Sequence, residues 1–194
     1  MTRRRYHHGD LANALVEVAL ELVEERGVEA FSLREAATRC GVAVSAAYKH
    51  YGSKAELLGA VADQGFRGLA DRMEARVRAA TRGLLGTRKA EAQLIELGRT
   101  YILFATERSA LFRLMYGPGV SRGGAGDLRP DAPSRRLSTL LVGALDEVLR
   151  AYGHAGADLD ANKVIAWSMV HGFSMMVVDG VLEPPSKAAF HATI

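Results

Sequence analysis

The run FSLREAATRCGVAVSAAYKHYGSK, residues 31–54, decides the fold, because its spacing predicts two short helices joined by a tight turn. Ser32 lies three residues before Glu35, which is the spacing of a capping box. In that motif the serine oxygen accepts from the backbone of Glu35, and the glutamate reaches back. We therefore expect a helix from about Leu33 that ends at Gly41.

The second helix of this run is predicted from Val44 to Tyr51, and Gly52 ends it. Two helices of about two turns, joined by the glycine-containing turn Cys40–Ala43, have the size of a DNA-reading helix-turn-helix. Spacing alone leaves a second interpretation open, since many helical hairpins are only packing units. The residue types, considered below, favour DNA binding.

The rest of the chain is also helical in pattern, without the alternation of a half-buried strand. A first helix runs from Leu11 to Gly27, and the capping-box spacing of Ser53 and Glu56 opens a long fourth helix that reaches about Arg82. The fold class is therefore all-α. Four further helices are predicted at Lys89–Glu107, Ala110–Tyr116, Ser134–Tyr152 and Leu159–Asp179.

Two segments are expected to lack regular structure. The loop Gly117–Pro133 is rich in glycine and proline, so we expect it to be disordered unless other parts of the chain cover it. The tail from Pro184 to Ile194 follows a Pro-Pro break and is expected to fray.

Composition narrows the class of protein. The 194 residues carry a net charge of +3 and have a single cysteine, which excludes a disulfide framework and suits a reducing, cytoplasmic location. No signal peptide is recognised, and the apolar stretch Val164–Leu182 contains His171 and Asp179, so we expect a buried helix and no membrane partner. The six histidines are scattered and no catalytic motif occurs, so no enzyme, cofactor or metal site is expected.

The residue types in the N-terminal run are distinctive. Gly27, Phe31-Ser32-Leu33-Arg34-Glu35-Ala36-Ala37, Gly41-Val42, Tyr48-Lys49-His50-Tyr51 and Ser53–Leu58 together strongly resemble the TetR family of regulators. Arg4–Leu11 and Trp167–Gly172 resemble a branch of that family whose C-terminal domain is named for its Trp-His-Gly motif.

This resemblance implies a transcriptional regulator with two domains. Residues 1–52 would form the helix-turn-helix domain, and residues 53–194 a helical domain for ligand binding and dimerisation. The family's usual activity implies a repressor that binds a palindromic operator on double-stranded DNA as a homodimer and is released by a small apolar effector. The alternative is a helix-turn-helix DNA-binding protein, or an activator of transcription, that senses no ligand.

The resemblance also implies roles for residues at the head of the chain. Tyr48, Lys49, His50 and Lys54 would face the DNA backbone, and Val44, Ser45 and Ala47 would lie nearest the base edges. Arginines at the N-terminus suit a minor groove, although a solvated tail fits them equally well. The complete predicted DNA-binding set is Arg3, Arg4, Arg5, Ser32, Val44, Ser45, Ala47, Tyr48, Lys49, His50 and Lys54.

Two positions depart from the family pattern. Ala43 stands where a capping serine is common, so the cap of the third helix is missing or comes from another group. Tyr51 replaces a common phenylalanine, and its additional hydroxyl must find water or a partner. For Tyr51 we favour a core role over DNA contact.

The C-terminal half is apolar enough to form a ligand pocket, a packed core or a dimer contact, and the alternatives stay open. His171 is a candidate polar group in such a pocket or a histidine satisfied inside the core. The predicted pocket residues are Phe66, Tyr101, Phe104, Phe112, Met115, Tyr116, Trp167, His171 and Met175. The predicted dimer residues are Leu137, Leu141, Ala144, Leu145, Val148, Met169, Phe173 and Met176.

Overall fold

The computed structural model describes residues 11–118 and 131–183, and within these ranges the chain forms eight α-helices and no strand. Arg3, Arg4 and Arg5, most of the loop Gly117–Pro133 and the tail Pro184–Ile194 lie outside the described residues. The helices are α1 Leu11–Ala30, α2 Leu33–Arg39, α3 Val44–His50, α4 Lys54–Ala80, α5 Gly86–Glu107, α6 Ser109–Tyr116, α7 Ser134–Ala151 and α8 Leu159–Val178. The all-α class and the order of the helices are as the sequence predicts.

The first helix has a break where the sequence places its end. Gly27 has φ 79° and ψ 170°, which is not helical, so the residues up to Ala30 continue only after a kink. Positive φ is accessible to glycine without a steric penalty. The sharp turn at Gly27 lets the chain reach Phe31 and the start of α2.

The turn between α2 and α3 is stabilised by a Schellman motif. The Val42 amide donates to the Ala37 carbonyl at 3.0 Å, and the Gly41 amide donates to the Thr38 carbonyl at 3.0 Å. Gly41 has φ 72°, the left-handed conformation that this motif requires. The third helix then starts after Ala43, which makes no side-chain cap, so the missing cap is a real departure from the family pattern.

Only half of the capping box at α2 forms. Ser32 Oγ accepts from the Glu35 amide at 3.2 Å as predicted. The prediction that Glu35 reaches back was wrong, because its carboxylate accepts from Arg26 Nη1 at 2.8 Å. A charged donor offers a stronger hydrogen bond than a backbone amide, so the arginine takes the carboxylate.

At α4 the same serine–glutamate spacing forms both hydrogen bonds, but the glutamate accepts from the amide one residue before the serine. Ser53 Oγ accepts from the Glu56 amide at 3.1 Å. Glu56 Oε2 accepts from the Gly52 amide at 2.7 Å, one residue before the cap. This N-terminal end of α4 is thereby held by two local hydrogen bonds.

The described chain divides into two compact units. Among the described residues, unit 1 contains 11–67, 110–118 and 131–134, and unit 2 contains 68–109 and 135–183. The long helix α4 contributes to both. In unit 1, α1, α2 and α3 pack on one another; in unit 2, α5 packs on α8. The boundary between functional domains at residues 52 and 53 stays a prediction.

The core of unit 1 is tightly packed, and its most buried side chains are at most 1% exposed. A Cβ at Gly65 would lie 2.7 Å from Met115 Sδ, so glycine allows α4 and α6 to approach closely there. The most buried members are Leu15, Ala19, Leu22, Val23, Ala36, Ala37, Ala47, Leu57, Val61, Ala62, Phe66, Leu111, Phe112 and Met115.

Candidate nucleic-acid interface

The third helix presents a polar face to solvent. Ser45, Tyr48, Lys49 and His50 are exposed on it, and 51% of Tyr48 is accessible. Val44 is half-buried. Hydroxyl and ammonium groups suit phosphate oxygens, and a serine can reach a base edge, so this face has the chemistry of a DNA-binding surface.

The expectation that Ala47 lies near the base edges was wrong. Its side chain is 0% exposed, because it faces the interior of unit 1, where α3 packs on α1 and α2. The reason is helical periodicity, since Ala47 lies one turn from both Val44 and Tyr51, which are themselves partly buried. The exposed face is centred on Ser45 and Lys49.

The hydroxyl of Tyr51 has a partner inside the protein. It donates to the Ala12 carbonyl at 3.3 Å, and burial raises the pKa of the phenol above its usual value. The core role that we favoured for Tyr51 agrees with this contact. It attaches the end of α3 to the start of α1.

Tyr51→Phe is expected to lower the free energy of unfolding by about 0.5–1.5 kcal/mol, the typical contribution of one hydrogen bond. DNA affinity should stay unchanged, since Tyr51 is turned toward α1. Urea unfolding and a DNA titration check the two parts. Tyr48→Phe on the exposed face is the matched control, and an equal loss of stability there would contradict the assignment.

Lys54 and Ser32 are both exposed, and each already has a bond within the chain. Lys54 Nζ donates to the Val28 carbonyl at 3.1 Å and lies 5.8 Å from the centre of the Phe31 ring. Ser32 Oγ is engaged by the cap of α2. Neither the bond to Val28 nor the ring contact was visible in the sequence pattern.

Several charges of the three-helix head, which is formed by α1, α2 and α3, neutralise one another. Arg39 Nη2 lies 2.7 Å from Glu25 Oε2, and this pair lowers the pKa of Glu25 and raises that of Arg39. Arg26 pairs with Glu35 at 2.8 Å. Cations paired in this way are less available to a polyanion.

Arg34 is a candidate that the sequence analysis missed. It is exposed in the first turn of α2, and no ion pair joins it to another described residue. Arg26 and Arg39, by contrast, form ion pairs with carboxylates that come from other parts of the chain. Such partners cannot be read from local spacing.

A group of contacting polar and aromatic side chains, Tyr101, His171 and Trp167, lies within unit 2. Tyr101 Oη is 2.8 Å from His171 Nδ1, and the imidazole stacks on Trp167 with ring centroids 5.0 Å apart. Burial lowers the pKa of His171 below its usual value, which favours the neutral ring. Trp167 is 41% exposed. The predicted polar group of a pocket thus has a defined hydrogen-bond partner.

The predicted pocket residues fall into two groups that belong to different units. In unit 1, Phe66 and Phe112 pack against Tyr116 at centroid distances of 5.4 and 4.9 Å, next to the buried Met115. The members in unit 2 are Tyr101, Phe104, Trp167, His171 and Met175.

Unit 2 also contains a small cleft of about 130 Å³. It is lined by Glu74, Val77, Arg78, Gln93, Leu97 and Leu140, none of which is a predicted pocket residue.

The predicted dimer residues differ in their exposure. On α8, Met169 and Met176 are 71% and 41% exposed, and Phe173 is half-buried. The prediction was wrong for Ala144 and Leu145, which are buried within the chain at 0% and 7% exposure. The apolar stripe of α7 is turned toward the interior, and the remaining members, Leu137, Leu141 and Val148, are half-buried.

Neither a cluster of metal ligands nor a membrane-spanning helix occurs in the described ranges. No three or more metal-ligating side chains come together among residues 11–118 and 131–183. Within the same part of the chain, no helix combines the length and the apolar character needed to cross a bilayer.

The three-helix head with its exposed third helix, together with a second helical unit, defines a DNA-binding transcriptional regulator. Residues 15–61 match the family model of bacterial regulatory proteins of the tetR family, and residues 94–194 match that of the tetracyclin repressor-like C-terminal domain. The chain belongs to the TetR family, which is a family of transcriptional regulators. The Trp-His-Gly branch stays a prediction. No curated protein is a significant match to the sequence.

Solved structures share the fold. A protein of unknown function from Rhodococcus sp. RHA1 is 26% identical, with 97% of this chain and 94% of that chain covered and a TM-score of 0.66. The TetR family transcriptional regulator PfmR from Thermus thermophilus is 21% identical over 91% and 93%, with a TM-score of 0.59. The transcriptional regulator FadR from Bacillus subtilis, solved with stearoyl-CoA, is 14% identical over 92% and 95%, with a TM-score of 0.63.

Proposed function

We propose that the protein is a cytoplasmic repressor that binds a palindromic operator as a homodimer through the exposed face of α3. The observation that carries this proposal is the solvent-facing set Ser45, Tyr48, Lys49 and His50 on a helix held by a glycine turn. Tyr48, Lys49 and His50 would contact phosphates, and Ser45 would read a base edge. Few bidentate contacts are available here, so DNA shape would contribute to specificity.

Dimerisation is proposed through α8 and the edge of α7. Ile165, Met169 and Met176 recur at a helical spacing and are 59%, 71% and 41% exposed, which leaves an apolar strip for a second chain to cover. A two-fold dimer would present two reading helices about 34–36 Å apart, one turn of DNA. Each half of a palindrome would then meet one head.

Release by a small apolar effector is the third part of the proposal. The group Tyr101, His171 and Trp167 supports it, since a neutral imidazole and a phenol beside a partly exposed indole suit a largely apolar molecule with one polar group. The complex of FadR with stearoyl-CoA gives a structural neighbour that binds an apolar chain.

One observation favours the alternative of a regulator without a ligand. Phe66, Phe112 and Met115 are at most 1% exposed and pack closely, so this part of the predicted pocket is filled by its own side chains.

The two proposals differ in whether any compound changes operator affinity. Trp167 is the chain's single tryptophan, so its fluorescence identifies compounds that bind near it. If every compound that shifts the emission leaves operator affinity unchanged at saturation, release by a ligand is contradicted.

Lys49→Ala tests the DNA-binding surface. We expect affinity for the operator and for random duplex DNA to fall by a similar factor, about tenfold, because a phosphate contact carries no sequence information. The plot of log affinity against log salt should become shallower by about 0.9 for each phosphate that the protein no longer neutralises. Fluorescence anisotropy with duplexes from the protein's own promoter measures both quantities.

Lys89→Ala is the matched control, since Lys89 is an exposed lysine on α5 in unit 2. It should leave both affinity and salt dependence unchanged. Equal effects of the two substitutions would contradict the assignment of the surface to α3.

A further inference from the structure

The turn between α4 and α5, residues 81–89, lies in a stretch with an unbalanced positive charge. Residues 75–90 contain no carboxylate, and their cations are Arg76, Arg78, Arg82, Arg88 and Lys89. The first two pair with Glu96 and Glu74, at 3.3 and 3.6 Å. The other three are exposed, and no ion pair joins them to another described residue. The turn therefore offers three cations to a partner outside the chain.

Leu85 lies between these cations and is 85% exposed, more than any other large hydrophobic residue of the described ranges. The Leu84 amide donates to the Thr81 carbonyl at 3.0 Å, which closes the turn. Gly83 and Gly86 on either side have φ 78° and 57°, which glycine adopts without a steric penalty. The backbone thus holds an apolar side chain in solvent, away from the core of unit 2.

Local stability does not explain these residue types. Leu85 is the N-cap of α5 and makes no side-chain hydrogen bond there, although serine, threonine, asparagine and aspartate are the residues that stabilise such a position. Arg88 and Lys89 lie in the first turn of α5, where the helix dipole disfavours cations. Residues that break local rules without a compensating contact are typical of functional sites.

The chemistry of the turn fits a surface of anionic phospholipids. A stable protein–protein interface engages about 20–30 residues on each side, far more than this short turn supplies. Nucleic acid offers phosphates for the cations, but it accepts a leucine only where bases unstack. A bilayer offers both contacts, because an apolar side chain can enter below the headgroups while long cationic side chains stay at the phosphates.

We propose that the α4–α5 turn docks on a membrane surface rich in anionic phospholipids, with Leu85 inserted and Arg82, Arg88 and Lys89 at the lipid phosphates. Attraction of this kind grows with each cation and is screened by salt. The expectation of no membrane partner concerned Val164–Leu182 as a spanning segment, whereas the turn would contact only the lipid surface. The proposal does not depend on the DNA-binding surface of α3.

The experiment measures cosedimentation of the full-length protein with two kinds of vesicle. One contains equal amounts of phosphatidylglycerol and phosphatidylcholine, and the other contains phosphatidylcholine alone. The test variants are Leu85→Ser and the double variant Arg88→Gln with Lys89→Gln. Circular dichroism confirms that each variant is folded, and analytical sedimentation without lipid gives its oligomeric state.

Two matched controls change the same kinds of side chain elsewhere. Arg34→Gln with Lys49→Gln removes two exposed cations from unit 1, and Val181→Ser removes an apolar side chain that is 70% exposed. Both should leave vesicle affinity unchanged. A titration with random duplex DNA is made for Arg88→Gln with Lys89→Gln, whose DNA affinity should equal that of the wild-type protein.

We expect wild-type protein to bind the mixed vesicles and not those of phosphatidylcholine. The double variant of the turn should lose about 20-fold in vesicle affinity, since each cation near an anionic surface contributes roughly fivefold. Leu85→Ser should lose about fivefold through the loss of apolar burial. Higher salt should weaken the binding of the wild-type protein more than that of the double variant.

Insertion is measured separately with Leu85→Trp in a Trp167→Phe background, where residue 85 carries the only tryptophan. Its emission should shift to shorter wavelength when mixed vesicles are added, because the indole leaves water. Emission that stays unchanged on bound vesicles would overturn the insertion of the turn.

Other outcomes would overturn the proposal in distinguishable ways. Absence of binding to mixed vesicles at low salt would do so directly. An equal loss for the cation variants of unit 1 and of the turn would show that net charge binds the vesicle. Weaker dimerisation of Leu85→Ser would identify a second copy of the chain as the partner of the turn. A loss of DNA affinity in the double variant of the turn would identify nucleic acid instead.

Discussion

Arginine in place of Ala47 is expected to unfold the DNA-binding head and abolish binding to every DNA. The alanine side chain is 0% exposed where α3 packs on α1 and α2. Overpacking alone costs about 1–3 kcal/mol, and an unpaired buried charge adds several more. Together these costs approach the stability of a typical domain, about 5–15 kcal/mol.

The matched control is Ser45→Arg, which introduces the same side chain two residues earlier, on the exposed face. This variant should stay folded and keep or increase its affinity for DNA in general, since it adds a cation where phosphates would lie. Far-UV circular dichroism, thermal unfolding and DNA titration distinguish the two variants. A folded Ala47→Arg protein with higher DNA affinity would instead support a position near the base edges.

Glutamate in place of Met169 is expected to convert the proposed dimer into monomers. Met169 is the most exposed of the three apolar residues on the outer strip of α8. Each copy would lose roughly 1.5 kcal/mol of apolar burial, and a two-fold interface contains the residue twice. We therefore expect the dissociation constant of the dimer to rise about 100-fold or more.

Sedimentation or light scattering at micromolar concentration checks the mass, and an operator titration checks the consequence. The monomer should bind a single half-site weakly, since one head supplies only half of the contacts. Ser138→Glu is the control, because it adds the same charge at an exposed position of α7. A Met169→Glu protein that stays dimeric would show that the second chain binds elsewhere.

The positions of the helices follow closely from local sequence signals. The turn glycine Gly41, the break at Gly27 and the serine caps at residues 32 and 53 occur as the spacing predicts. Each of these features depends on hydrogen bonds between residues at most five apart, or on the conformational freedom of one glycine. Such information is complete within a short window of sequence.

Local sequence does not determine in which direction a small residue faces. The run Val44-Ser45-Ala46-Ala47 offers two alanines that suit a core and a DNA surface equally well by size and polarity. Transferring roles by position placed Ala47 at the base edges, although packing turns it inward. The exposed Arg34 was missed for a related reason. It stands out only because Arg26 and Arg39 form ion pairs with carboxylates from other parts of the chain, and the sequence does not show those pairs.

By itself, the sequence determined the all-α class, the order of the helices and the helix-turn-helix of residues 31–54. The tertiary structure decided which face of each helix is buried, that Lys54 donates to Val28, and that Ala144 and Leu145 lie inside the chain. It also divided the aromatic residues into a packed group in unit 1 and a polar group around His171 in unit 2. The physical reason is range: helices and caps form between neighbours in the chain, whereas burial and side-chain pairing depend on segments that meet only after folding.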